Sequence, residues 1–186
     1  MKKINISGLA GFFLTLIVAV SFVVSGKGYP VSDWKISFPF SQKTDYNDIL
    51  VVRVVDGDTL KLGNGERLRL IGIDTPEMHD SNKLYRDSQR NHQDVEQIKK
   101  LGRRSYGFTR NLVEGKKVRL EFDLERKDKY GRLLAYVYLQ DGTFINAEIV
   151  KQGFASLMTI PPNVKYADTF FKFYQEAREN NRGLWR

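Results

Sequence analysis

Three short clusters of charged residues contain the chemistry that this sequence could perform. They are Asp56-Gly-Asp-Thr59, Arg69-Leu-Ile-Gly-Ile-Asp-Thr-Pro-Glu77 and Asp128-Lys-Tyr-Gly-Arg132. Each lies where a predicted strand meets a loop, and together they supply five carboxylates and two arginines. Such side chains are costly to bury unless they are paired or bound to a metal. A single cluster is explained equally well as a turn or a surface ion pair, but three in this order indicate a site.

The residue types in these clusters match the needs of phosphodiester hydrolysis. Negative charge builds on the phosphate oxygens during attack by water, so a site needs cations aimed at those oxygens and a group that orients or deprotonates the water. Arginine binds phosphate through a planar, permanently charged fork. Asp58 and Asp74 could hold a hard divalent cation, Glu77 could act on the water, and Arg69 and Arg132 could bind the phosphate.

Five predicted strands must position these residues. The strands are expected at residues 49–55, 59–62, 66–73, 117–123 and 132–139. Helices are expected at about 94–113, in a short stretch capped by Asn146, and at about 165–181, whereas the polar stretch up to residue 93 is predicted to be an exposed loop. Short strands with about three helices predict an α+β fold dominated by a five-stranded barrel of the OB type.

Strand geometry raises one objection to the proposed site. Strict alternation places Arg69 on the face of Ile71 and Ile73, opposite to Asp74. Convergence of Arg69 and Asp74 therefore requires a bulge, or a turn after Ile73.

Composition narrows the classes of protein. The chain has 186 residues, a formal net charge of +8, no cysteine and two histidines. One domain of ordinary size is expected. The absence of cysteine excludes disulfides, thiolate metal sites and a cysteine nucleophile, so a metal would be a hard cation bound by oxygen. The basic balance favours polyanionic partners, either nucleic acid or an anionic membrane surface.

The first 26 residues are predicted to be a targeting segment. Residues 4–26 have no charge and follow Lys2 and Lys3. This pattern is typical of a signal peptide, and its apolar run is long enough to leave an N-terminal membrane anchor open. Residues 27–48 are predicted to be a linker and 49–186 the domain. We therefore expect an exported domain that is secreted, periplasmic or membrane-anchored outside the cytoplasm.

From Val51 to Trp185 the chain resembles the thermonuclease (staphylococcal nuclease) family. The resemblance rests on the three clusters and on Leu133-Leu-Ala-Tyr-Val-Tyr138. It implies an OB-type barrel, a DNA or RNA substrate, and cleavage that depends on calcium, with magnesium or manganese left open. A monomer is the default expectation.

The resemblance also implies a role for nine residues. Asp58, Asp74 and the backbone oxygen of Thr75 correspond to calcium ligands, and Arg69, Glu77 and Arg132 correspond to the catalytic positions. Lys129 and Tyr130 correspond to residues that contact a nucleotide phosphate, and Leu134 to one that lines the nucleoside pocket.

The sequence departs from the family pattern in three places. The turn at residues 63–65 is short, and an insertion lies at about residues 80–95. The tyrosines of the family's pocket are not matched by residues 157–163. Tyr166 is either their substitute or a residue of the helix core.

Two other functions remain open at this stage. One is a non-catalytic OB-type module that binds nucleic acid, although such a module need not retain both arginines, Glu77 and both aspartates. The other is a membrane-tethered protein that uses its basic surface on anionic lipid, which leaves the acidic residues unexplained.

Overall fold

The computed structural model describes residues 44–92 and 94–186. The predicted targeting segment and all of the predicted linker before residue 44 lie outside these residues. Within the described ranges, no helix has both the length and the apolar character needed to cross a membrane.

A closed barrel of five strands forms the centre of the domain. The seven strands of the described residues are β1 (Ile49–Asp56), β2 (Thr59–Leu62), β3 (Arg67–Leu70), β4 (Gly72–Asp74), β5 (Lys117–Glu121), β6 (Leu133–Leu139) and β7 (Ser156–Met158). The barrel has the order β1-β2-β3-β6-β5, and β4 pairs with β7 in a separate two-stranded sheet. The β3–β6 pair is parallel. The pairs β1–β2, β1–β5, β2–β3, β4–β7 and β5–β6 are antiparallel. The predicted five-stranded barrel is confirmed.

Four α-helices surround the barrel in the described residues, one more than the sequence predicted. They are α1 (Asn82–Asn91), α2 (Val95–Val113), α3 (Ile145–Lys151) and α4 (Ala167–Glu179), and a short 3-10 helix follows at Gly183–Trp185.

Helix α1 lies in the stretch that was predicted to be an exposed loop, so that prediction is wrong. The Ser81 hydroxyl accepts a hydrogen bond from the Leu84 amide at 3.1 Å and caps the helix. Leu84 is fully buried, and its side chain fixes α1 to the domain. A single apolar anchor in a strongly polar segment gives too weak a periodic signal for sequence prediction.

Helix α3 begins differently from the prediction. Phe144, not Asn146, precedes its first residue, and Asn146 is fully buried inside the first turn. The Asn146 side chain therefore binds barrel backbone instead of capping the helix.

The barrel core is filled by the inward-facing residues of the strands. Leu60, Leu68 and Leu70 are almost completely buried. Tyr136 and Phe170 are the largest fully buried side chains, and Phe170 anchors α4. The ends of β1, β3 and β4 and the loop before β6 lie around one cleft.

Candidate active site

The cleft has a volume of about 630 Å³ and gathers the predicted site. Eight of the nine predicted residues line it: Asp58, Arg69, Asp74, Glu77, Lys129, Tyr130, Arg132 and Leu134. The ninth, Thr75, is buried beneath the cleft at 2% exposure. Residues that are up to 76 positions apart in the sequence, from 58 to 134, are therefore adjacent in the fold.

Asp58 ties two of the three clusters together. It follows β1 in the turn to β2 and is 4% exposed. Its Oδ2 accepts hydrogen bonds from both the backbone amide and the hydroxyl of Thr75, each at 2.9 Å. Its backbone oxygen accepts from the Leu70 amide at 3.0 Å. The β1–β2 turn is thereby fixed to the segment that contains Asp74.

Arg69 and Asp74 meet because the strand breaks between them. β3 ends at Leu70, and β4 starts at Gly72, whose φ of +82° is in the left-handed region that favours glycine. Arg69 Nη2 consequently donates to Asp74 Oδ1 at 2.7 Å and to the Ile73 carbonyl at 3.1 Å. The irregularity that strand alternation required is present, one residue before Ile73 instead of after it.

Arg69 also pairs with Asp58, so its guanidinium bridges two carboxylates. Burial lowers the pKa of Arg69, Asp74 opposes that shift, and the nearby positive charge of Arg132 adds to the lowering. Arg69, on β3, and Arg132, in the loop before β6, line the same cleft. Two such cations can bind different oxygens of one phosphate.

Asp128 orients Arg132. Its Oδ2 accepts from Arg132 Nε at 2.7 Å, and its Oδ1 accepts from the backbone amides of Tyr130 and Arg132 at 2.9 and 3.0 Å. Burial raises the pKa of Asp128, but the hydrogen bonds from Arg132 outweigh burial and the net shift is downward. The ion pair uses Nε, which leaves the two terminal nitrogens of Arg132 for an anion.

The backbone of Glu77 lies directly against helix α2. A Cβ added to Gly102 would be 2.5 Å from the Glu77 carbonyl oxygen and 2.8 Å from the Met78 amide nitrogen. Farther along α2, the buried Thr109 donates to the Gly57 carbonyl at 2.7 Å. Helix α2 therefore forms a rigid support behind both the Asp58 turn and the Glu77 segment.

Two asparagines that sequence reasoning did not assign to the site hold its framework. Asn146 donates to the Ile71 carbonyl at 2.9 Å and accepts from the Val137 amide at 3.0 Å, so it fixes the break between β3 and β4 to β6. Asn163 lines the cleft, donates to the Glu125 carbonyl at 2.8 Å and accepts from the Glu125 amide at 2.9 Å. No distinct sequence signal indicated this role of Asn146, because its helix also contains the polar residues Glu148 and Lys151.

Apolar side chains occupy the part of the cleft wall where the family pattern has tyrosines. Met158 and Ile160 line the cleft, and they are 37% and 61% exposed. Tyr166 does not line the cleft. It lies edge-on to Tyr136 with ring centroids 4.6 Å apart, and its hydroxyl donates to Glu121 at 2.9 Å. This position supports the helix-core interpretation of Tyr166.

The donor set fits a hard divalent cation. Asp58 and Asp74 contribute two carboxylates, both of which contact Arg69. Oxygen donors of this kind suit calcium and magnesium. Among residues 44–92 and 94–186, no group of three or more acidic or histidine side chains could hold a metal. The described residues thus offer two carboxylates here, and the Thr75 carbonyl is a third ligand only by resemblance to the family.

A small barrel whose cleft contains paired arginines and carboxylates has the charged groups that binding of a phosphate ester requires. The sequence profile of the family described as "Staphylococcal nuclease homologue" matches residues 67–186. The chain is 35% identical over 191 residues to a protein named thermonuclease from Staphylococcus intermedius, with 100% of this chain and 99% of the relative covered. The chain belongs to the staphylococcal nuclease homologue family.

Two proteins of Bacillus subtilis strain 168 are also similar. The chain is 34% identical over 164 residues to one named endonuclease YncB, covering 84% of this chain and 71% of the relative. It is 37% identical over 143 residues to one named SPbeta prophage-derived endonuclease YokF, covering 74% of this chain and 44% of the relative.

Proposed function

We propose that this protein is an exported endonuclease that hydrolyses phosphodiester bonds of DNA, RNA or both with little sequence specificity, using a divalent cation, first of all calcium. As a member of its family, the protein is a nuclease of the hydrolase class. The observation that supports the proposal most directly is the presence of Arg69, Glu77 and Arg132 in one cleft.

The two arginines are suited to stabilise the phosphate as negative charge accumulates on it. Arg69 is held by Asp58 and Asp74, and Arg132 is held by Asp128, so neither side chain must reorganise far to bind an anion. Cations fixed in advance at a developing charge give large rate effects because no reorganisation is needed during the reaction.

Glu77 is the candidate for orienting the attacking water and accepting its proton. Glu77 lines the same cleft as both arginines, and α2 packs closely against its backbone. A positioned general base contributes about 10²- to 10⁴-fold to the rate. Asp58, Asp74 and Thr75 would hold a cation, which when bound supplies Lewis-acid stabilisation of the phosphate.

Low sequence specificity follows from the kinds of residue that line the cleft. Arginine and lysine side chains bind phosphates, which are the same for every nucleotide. Tyr130 is 73% exposed at the rim, and with Met158 and Ile160 it offers flat or aliphatic contacts to a base. Such contacts tolerate any base, since every base has an apolar face.

Export is proposed from the sequence alone. Lys2 and Lys3 precede a long uncharged stretch, as in a signal peptide or an N-terminal membrane anchor. A monomer is proposed because the cleft is complete within one chain.

The test is digestion of single-stranded DNA, duplex DNA and RNA by the full chain, with calcium, magnesium or manganese and with a chelator. Glu77→Gln should lower kcat at least 100-fold, and Arg132→Lys should lower it by a similar factor because the planar fork is lost. Glu125→Gln is the matched control, since Glu125 lines the same cleft without an assigned role.

Metal-dependent cleavage that is lost in the two site variants and kept in Glu125→Gln would support the proposal. A folded protein that retards all three nucleic acids on a gel but cuts none with any of the metals would instead be the non-catalytic binding module. A protein that binds anionic vesicles and neither cuts nor retards nucleic acid would be the lipid-binding alternative.

A further inference from the structure

Arg67 is a cation of the cleft to which neither the sequence analysis nor the proposed mechanism gives a role. It is the first residue of β3, its side chain is exposed, and it lines the cleft. Leu68 and Leu70 alternate with it and are buried in the barrel. Arg67 and Arg69 are therefore on the same side of the strand, and both line the cleft.

The ion pairing of Arg67 differs from that of Arg69 and Arg132. Arg69 is bridged to Asp58 and Asp74, and Arg132 is paired with Asp128. In the described part of the chain, the Arg67 side chain has no ion pair and no hydrogen bond that would use its guanidinium. Its positive charge is thus not paired with any residue that the structure describes, and it can bind an anion in the cleft.

The spacing of the two arginines suits a nucleic acid chain. Residues i and i+2 of a strand are about 6.6 Å apart. This separation is comparable with the distance between successive phosphates of an extended single strand. Two arginines at that separation can bind two neighbouring phosphates, one phosphate for each guanidinium fork.

We propose that Arg67 binds the phosphate adjacent to the one that is cleaved, and that it favours oligonucleotides over substrates with a single phosphodiester. This inference rests on the proposed nuclease function. Arg67 acts in binding and in the choice of substrate length, whereas Arg69 and Arg132 act at the reacting phosphate.

The experiment compares Arg67→Gln with Arg53→Gln. Arg53 lies on β1, is exposed and is outside the cleft lining, so its substitution removes the same charge from the same barrel. The substrates are a 12-residue oligothymidylate and the dinucleoside monophosphate TpT, which has one phosphodiester. The ratio of kcat/KM for the oligomer to kcat/KM for TpT should fall about 10-fold in Arg67→Gln, as expected for loss of a charged hydrogen bond. Arg67→Lys should restore part of the ratio, and Arg53→Gln should leave it unchanged.

A second measurement does not depend on cleavage. This measurement is the salt dependence of oligomer binding in the Glu77→Gln background, as the slope of log association constant against log salt concentration. The negative slope should become shallower by about 0.7 in Arg67→Gln, because one phosphate contact is lost. An equal loss of activity on both substrates, an unchanged ratio, or a slope equal to that of Arg53→Gln would overturn the inference. A wild-type protein without nuclease activity would overturn the proposed function and this inference with it, which is distinguishable from failure of the Arg67 variant alone.

Discussion

Substitution of Gly102 by alanine tests whether α2 positions Glu77. Nonbonded carbon and oxygen atoms rarely approach closer than about 3.3 Å. The new Cβ would lie 2.5 Å from the Glu77 carbonyl oxygen and 2.6 Å from the carbonyl carbon. The Glu77 segment, α2 or both must therefore move by about 0.8 Å to restore an ordinary contact.

The expected effect on activity is larger than the effect on stability. A displacement of about 1 Å in an active site lowers the rate by about 100-fold. Overpacking destabilises a fold by about 1–3 kcal/mol, and alanine returns about 1 kcal/mol through its better helix propensity. We expect Gly102→Ala to remain folded, to lose about 100-fold in kcat, and to retain most of its affinity because Lys129, Tyr130 and Arg132 belong to another loop.

Gly107 in the same helix is the matched control. A Cβ at this position would meet nothing within 4 Å. Gly107→Ala should raise the free energy of unfolding by about 0.5–1 kcal/mol, raise Tm by about 1–4 °C, and leave kcat unchanged.

The assay is single-turnover cleavage of an oligonucleotide with a fluorophore and a quencher, together with thermal melts. If Gly102→Ala acts through Glu77, it should have no further effect on kcat in the Glu77→Gln background. Wild-type kcat in a Gly102→Ala protein whose Tm rises like that of Gly107→Ala would refute the reasoning. Gly102→Ala can also be placed in the Gly107→Ala background, so that a small loss of stability does not prevent the measurement.

Three further predictions concern stability, pH and metal. Asn146→Ala leaves the Ile71 carbonyl and the Val137 amide buried without their partner, so urea unfolding should show a loss of about 2–5 kcal/mol; a loss below 1 kcal/mol would contradict this. The folded-state pKa of Asp128 is below its ordinary value of 3.8, so its stabilising effect is fully present above that pH and disappears as pH falls through the folded-state pKa. Acid unfolding of Asp128→Asn should lack this component, and an unchanged acid limb would argue against it. Calcium should raise Tm of the wild type but not of Asp74→Asn, and equal shifts would remove Asp74 from the metal site.

Sequence patterns predicted the barrel because each strand has a strong local signal. Alternating or continuous apolar runs identified the five barrel strands, and the helix predicted from about residue 94 corresponds to α2. The strand predicted at residues 66–73 is wrong in its length, because it divides into β3 and β4, which belong to different sheets. The site could be predicted because its residues occur in compact clusters at strand ends, and eight of the nine do line one cleft.

The missed features depend on contacts between distant parts of the chain. Helix α1 depends on one buried leucine in a polar segment, and Asn146 and Asn163 bind backbone atoms from other elements. β7 has three residues and exists as a strand only because β4 pairs with it. No local propensity identifies such partners, since they are defined by the tertiary fold.

The parallel pairing of β3 with β6 has a consequence for biosynthesis. Arg69 pairs in register with Leu134, and the loop before Leu134 is fixed by Asn163. A chain emerging from the ribosome cannot assemble the cleft until residue 163 has been added. Chains that end before Asn163 are therefore expected to lack a completed cleft and, with it, nuclease activity.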